Sequence, residues 1–204
     1  SRGVLVCLDA IQGLGVFPLN VRKTPVDFLA ADGHKWLLGP EGAGLLYVAR
    51  GHLDRLRPLG LGWNSVRNAH DFSRVELDLR PSAQRYEGGS QNMVGVLGLG
   101  GSLQLLTELG LGPDSSPIAD RVLAYTGAAA ARLQESGAKI TGSGEKVHRS
   151  GILSFALPGR DPAELRSRCL EAGVVLSVRD GLLRVSPHAY NDEDDLERLL
   201  AVLA

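Results

Sequence analysis

The chain has 204 residues, a length that suits one large domain or two ordinary ones. It carries 22 basic and 23 acidic residues, a formal net charge of −1, and 44% of it is apolar, so a core of normal size is available and low-complexity disorder is excluded. Divided after Ser102, it holds 11 basic against 9 acidic residues, then 11 against 14. Neither part is a basic nucleic-acid surface or an acidic tail, and no apolar run approaches the ~20 residues of a membrane span.

The 26 glycines, roughly twice average usage, are scattered singly and point to tight turns rather than a linker. Cys7 and Cys169 cannot build a disulfide framework, which points to a reducing, cytoplasmic setting. There is no signal peptide and no initiator methionine. The chain enters a buried-looking strand within a few residues of Ser1, so the front of a longer protein is expected to be missing.

In chain order, Val4-Leu5-Val6-Cys7-Leu8, ended by Asp9, reads as a strand buried on both faces of a parallel sheet. Residues 27–31 and 44–48 read as two further strands, 51–56 as a helical turn or two, and 58–90 mostly as loop. Residues 92–109 read as a buried helix, because their apolar face is broad and the glycines permit close packing. The boundary falls in 110–116. Behind it, residues 117–136 form an amphipathic helix on Ile118, Val122, Tyr125, Ala129 and Leu133, stopped by Gly137. Strands follow near Lys139–Thr141 and at 151–157. A helix capped by Asp161 with Pro162 at its first position runs to Gly173. Two short strands, 174–178 and 182–186, precede a last helix from Asn191 whose early Asp192, Glu193 and Asp194 complement its dipole.

The chemistry sits at two strand ends. Asp9 closes the first apolar run, and a carboxylate there needs a cationic or hydrogen-bonding partner. Lys35 follows the end of the second run, after Gly33. An amine so placed loses its proton readily and suits Schiff-base chemistry. An acid and a lysine at the ends of two strands of one sheet suggest an aromatic cofactor between them.

These residues resemble the class V aminotransferases, fold-type-I pyridoxal-phosphate enzymes whose members include cysteine desulfurases and isopenicillin-epimerase-like proteins. Asp9 and Gln12 match the Asp-x-x-Gln part of the family pattern. His34, Lys35, Gly39, Pro40, Gly42 and Gly44 match His-Lys followed by Gly-Pro-x-Gly-x-Gly. The resemblance implies an α/β fold: residues 1–112 would be the rear part of the cofactor-binding large domain, mainly parallel sheet with helices, and 113–204 a small α+β C-terminal domain. It also implies roles. Lys35 would hold pyridoxal 5'-phosphate and move the substrate α-proton; Asp9 would pair with the pyridine nitrogen; Gln12 would donate to the phenolic oxygen; His34 would approach the phosphate. Arg85 to Asn92 resembles a segment whose hydroxyl, here Ser90, reaches the phosphate of the neighbouring subunit, so a homodimer with shared sites is implied. Arg184 would grip the carboxylate of an amino-acid substrate, its planar fork suiting a bidentate contact.

Each residue also has a plainer reading. Asp9 could cap the following turn, His34 satisfy backbone groups, Ser90 cap the helix near Asn92, and Arg184 pair with Asp192 or Glu193. Arg85 and Glu87 read as structural pairing residues, and Trp36 and Trp63 as packing residues, Trp63 with a place at the border of the site. No histidine stands at metal-ligand spacing. Three departures from the family matter. Asp32 stands where many desulfurases carry a serine near the phosphate, which is repulsive unless His34 or another cation intervenes. Gln91 replaces a common proline. Residues 173–184 contain no cysteine, where desulfurases place a reactive one, and Cys169 falls in a capped helix. The reading is therefore a pyridoxal-phosphate enzyme of aminotransferase type, with a cysteine desulfurase or selenocysteine lyase, or a truncated non-catalytic relative, as alternatives. The 204 residues alone are expected to be inactive, because the resemblance covers only the rear half of the family's architecture.

Overall fold

The structure, a computed structural model, describes residues 3–142 and 144–204; Ser1, where the chain opens, lies outside the described residues. The chain divides between Ser116 and Pro117 into two units. Asp114 belongs to the first, because its carboxylate pairs with Lys23 Nζ at 2.9 Å and accepts from Asn20 Nδ2 at 3.0 Å.

The first unit is built on a three-stranded sheet: β1 (Cys7–Asp9), β2 (Phe28–Asp32) and β3 (Gly44–Val48). β1 runs parallel to β2 with Asp9 opposite Ala30, and β3 runs antiparallel with Gly44 opposite Asp32. Leu29 and Ala31 are buried while Ala30 between them is exposed. That alternation marks a sheet covered on one face. Ala10, Val26, Leu29 and Ala31 make the core there, with Leu8, Leu14 and Tyr47 against it. The expected two-sided burial of the first run is corrected: the strand starts only at Cys7, and Val4 is 76% exposed. Its backbone engages β2 from Val6 onward, and among the described residues no layer covers the outer face.

α1 (Met93–Glu108) is capped by Asn92, whose side chain accepts from Gly95 N at 3.0 Å. It is not the buried helix its composition predicts. Gly95, Leu99 and Leu106 form the buried stripe, whereas Val94 is 83% and Leu97 72% exposed. An apolar face is buried only where a second layer meets it. Between β3 and α1 the chain makes a helical turn at Arg50–His52, where one is expected, and two more at Trp63–Ser65 and Ala83–Tyr86 within the expected loop.

The second unit holds α2 (Pro117–Glu135), β4 (Lys139–Thr141), β5 (Leu153–Ala156), α3 (Pro162–Glu171), β6 (Ser177–Arg179), β7 (Leu182–Val185) and α4 (Glu193–Leu203). The strands form an antiparallel sheet in the order β4-β5-β7-β6. Ile118, Val122, Thr126, Ala129 and Leu133 are the buried stripe of α2. Gly137, at φ +87°, ends that helix, with Ala138 N donating back to Leu133 O. Phe155, Leu165, Cys169, Leu183 and Leu196 meet Leu133 in one core. No helix among the described residues is long and apolar enough to cross a membrane.

Candidate active site

Parallel pairing brings the carboxyl ends of β1 and β2 to the same edge of the sheet, the edge outside which ligands bind in open α/β sheets. Asp9 ends β1, and its Oδ1 accepts the Ile11 N–H at 3.1 Å. This turn-capping contact is the plainer role foreseen for it, and it leaves the carboxylate with no cationic partner among the described residues.

The segment after β2 is a closed loop. Gly33 N donates to Ala43 O at 2.8 Å, Gly39 N to Gly33 O at 2.8 Å, and Leu38 N to Lys35 O at 3.0 Å. A Cβ on Gly33 would lie 2.7 Å from Ala43 O, so the loop closes on itself there only with glycine, and one on Gly39 would lie 2.7 Å from Leu99 Cδ1, so Leu99 of α1 meets the loop there without having to shift. Leu38 takes the left-handed conformation at φ +57°, and its carbonyl accepts from Ser102 Oγ at 2.8 Å. Such backbone in a non-glycine residue costs energy that the surrounding structure must offset, and it gathers at functional sites. Trp36 and Leu37 are buried. Lys35 between them and His34 is exposed, and its ammonium has no hydrogen bond or ion pair among the described residues.

Trp36 Nε1 donates to Gln12 Oε1 at 3.3 Å. The bond ties the turn after β1 to the loop after β2. It also settles the amide: with Oε1 on the indole, the Gln12 NH2 group is the end left to donate outward. Sequence reading treated Trp36 as packing, and nothing in its spacing to Gln12 signals this bond. His34 Nδ1 lies 3.2 Å from Asp32 Oδ1, which also accepts the Gly33 N–H at 2.7 Å. The His34 ring is the largest influence holding the Asp32 carboxyl below the usual carboxylate range. An open cleft of about 510 Å³ is lined by Asp9, Asp32 and Gly42 to Gly44, with Cys7 at its side.

Ser90 is exposed and does not cap α1; Asn92 does, and its Nδ2 donates to Gly42 O at 3.2 Å, placing the segment that begins at Arg85 beside the cleft-lining glycines. Arg85 is buried and structural, donating to Leu53 O at 3.1 Å and Arg80 O at 2.7 Å and pairing with Asp54 rather than Glu87. Trp63 is not packed inside: it is 46% exposed, with His70 and Phe72 against its ring.

In the second unit, Arg184 lies on β7 opposite Ser154 and Ser177. Its Nε is buried without a hydrogen-bond partner among the described residues. The foreseen ion pairs are not made, because Glu193 pairs with Arg132 at 3.5 Å and Asp192 caps α4. A buried, unsatisfied guanidinium nitrogen is costly. Cys169 is fully buried in α3, and burial pushes its thiol up, which suppresses the nucleophilic thiolate.

The fold is that of the fold-type-I pyridoxal-phosphate enzymes. A cysteine desulfurase from Thermococcus onnurineus, solved in its apo form, superposes with a TM-score of 0.88 at 26% identity, covering 99% of this chain and 52% of that one. A probable cysteine desulfurase of Methanothermobacter thermautotrophicus is 28% identical over 97% of this chain and 52% of its own length. Isopenicillin N epimerase of Streptomyces clavuligerus is 29% identical over all of this chain and 53% of its own length. The chain spans about half the length of these relatives. The family model for class-V aminotransferases matches residues 1–199, and the chain belongs to that family.

The donor set suits the family's cofactor. Pyridoxal phosphate needs a free amine for its aldehyde, a carboxylate for its ring nitrogen, a donor for its phenolic oxygen and donors for its phosphate. The unpartnered Lys35, the Asp9 carboxylate, the outward Gln12 amide and the His34 ring are of those kinds, and they stand at the ends of β1 and β2.

Proposed function

We propose that this chain carries the reactive lysine and much of the cofactor cradle of a cytoplasmic pyridoxal-phosphate-dependent enzyme that acts on an amino acid, with amino transfer as its reaction. The observation that carries the reading is Lys35, exposed and unpaired on a closed loop whose neighbours Trp36 and Leu37 are buried. When bound, the cofactor draws electrons from the α-carbon of the amino acid. Lys35 holds the cofactor and then takes and returns the α-proton at its Nζ. Asp9 keeps a proton on the pyridine nitrogen. Gln12 donates to the phenolic oxygen with its amide fixed by Trp36, and His34 meets the phosphate. Arg184 binds the substrate carboxylate. Ser90 serves the phosphate of a second subunit in a homodimer; its exposure, with that of Phe72, Val75 and Leu77, is what such a partner would cover.

The relatives' names support a second reading, cysteine desulfuration. It requires an accessible thiolate; Cys169 is buried with its thiol pushed up, and Cys7, exposed beside the cleft, stands on β1 rather than in the stretch 173–184 to which the resemblance assigns a reactive cysteine. Amino transfer is therefore preferred; sulfide release from cysteine that disappears in Cys169→Ala would reverse the preference. The principal test is chemical. The protein loaded with pyridoxal phosphate and reduced with borohydride is expected to carry a stable adduct on Lys35, mapped by peptide mass. Lys35→Ala is expected to lose it, and the same adduct persisting there would sink the proposal.

A further inference from the structure

The carboxylate of Asp32 sits beside the place assigned to a phosphate. Two like charges about 4 Å apart repel by about 1 kcal/mol in water and several times that near a protein surface, so its presence needs a reason. Its Oδ1 accepts the Gly33 N–H at 2.7 Å and lies 3.2 Å from His34 Nδ1. The Nε2 of that ring makes no hydrogen bond among the described residues. An ionised carboxylate can only accept, so its place 3.2 Å from Nδ1 favours the ring tautomer with the proton on that nitrogen. In a neutral ring, Nε2 is then bare and turns a lone pair toward an approaching anion. It becomes a donor only when the ring gains a second proton.

We propose that Asp32 is a positioning residue that fixes a proton on His34 Nδ1 and so couples the docking of a phosphate group at Nε2 to the uptake of about one proton. The inference rests on the pyridoxal-phosphate reading above. The proton comes from solvent, and the bound state is a row of carboxylate, imidazolium and phosphate. A serine at this position leaves the ring free to carry its single proton on Nε2 and to donate without uptake. His34 is the one ionisable side chain acting on Asp32 among the described residues. Asp9 and Cys7 from β1 line the same cleft, and Lys35 follows in the same loop; all three are unchanged by a substitution at Asp32.

The test is calorimetric titration with pyridoxal phosphate at pH 8 in buffers of different ionisation enthalpy, comparing the protein with Asp32→Ser and Asp32→Asn. Proton release at Lys35 is common to all three and cancels. The unsubstituted protein is expected to take up about one proton more than Asp32→Ser. Asp32→Asn, whose side-chain oxygen still accepts from Nδ1, is expected to keep most of that difference. Nitrogen-resolved NMR of the His34 ring without ligand is expected to show the proton on Nδ1 in the protein and in Asp32→Asn, and on Nε2 in Asp32→Ser. Equal proton counts with binding intact, or an Nε2–H tautomer in the unsubstituted protein, overturn this inference alone. Failure of the unsubstituted protein to bind pyridoxal phosphate at all removes the functional reading, and this inference with it.

Discussion

Leu38 is held at φ +57°, three residues beyond Lys35, by its own N–H on Lys35 O and by Ser102 Oγ on its carbonyl. For an L-residue with a Cβ that conformation costs about 1–2 kcal/mol. Asparagine enters it more easily than leucine, and a β-branched residue least of all. Leu38→Val is therefore expected to be about 1–2 kcal/mol less stable than Leu38→Asn in urea melts; equal midpoints would show the loop is not under this strain. Asp27 is a second residue with a defined consequence. Its Oδ2 accepts Val6 N at 2.7 Å and its Oδ1 lies 2.6 Å from His52 Nε2, and these bonds, the backbone one foremost, hold its carboxyl below the ordinary carboxylate range. A carboxyl lowered in the folded state contributes stability that is full above about pH 4 and is lost as pH falls through the folded value. The stability gap between the protein and Asp27→Asn should thus be full at about pH 5 and close below about pH 4. A gap unchanged at lower pH would contradict the assignment.

At the scale of elements, legibility followed the local signals. α3 begins where Asp161 and Pro162 place it, with Asp161 Oδ1 accepting from Ala163 N at 2.6 Å and Glu164 N at 3.3 Å. Asp161→Ala is expected to cost about 1 kcal/mol, read as a lowered thermal midpoint with the fold retained; no change would mean the helix start is held by its tertiary neighbours. The β6–β7 hairpin turns on Asp180 and Gly181, at φ +49° and +75°, an Asp-Gly pair of the kind that closes short hairpins, and β6 begins at Ser177 rather than at residue 174. α1 and β1 were read correctly as helix and strand and wrongly as buried. Periodicity and composition mark which face is apolar, and they carry no information on whether another layer lies against it.

For the whole molecule, the two units differ in how well each is closed. The second has a continuous core from Leu133 through Phe155 and Leu183 to Leu196 and Leu203. Residues 117–204 by themselves are expected to unfold in one cooperative transition, observed by circular dichroism with coincident near- and far-ultraviolet midpoints; separate midpoints would show that this core depends on the first unit. The first unit leaves Val4, Val94 and Leu97 open, and patches of that kind mark contact surfaces.

The order Asp9, Gln12, His34, Lys35 and the glycines around them, the helix stripes and the caps are properties of neighbouring residues along the chain, and the sequence alone determined them. Only the tertiary structure decided that Trp36 orients Gln12, that Arg184 keeps a buried nitrogen without a partner among the described residues and that Cys169 is sealed in a core. Each of these depends on which surfaces meet across the fold. Residue spacing sets the direction in which a side chain leaves its element, while burial and hydrogen bonding depend on what stands opposite.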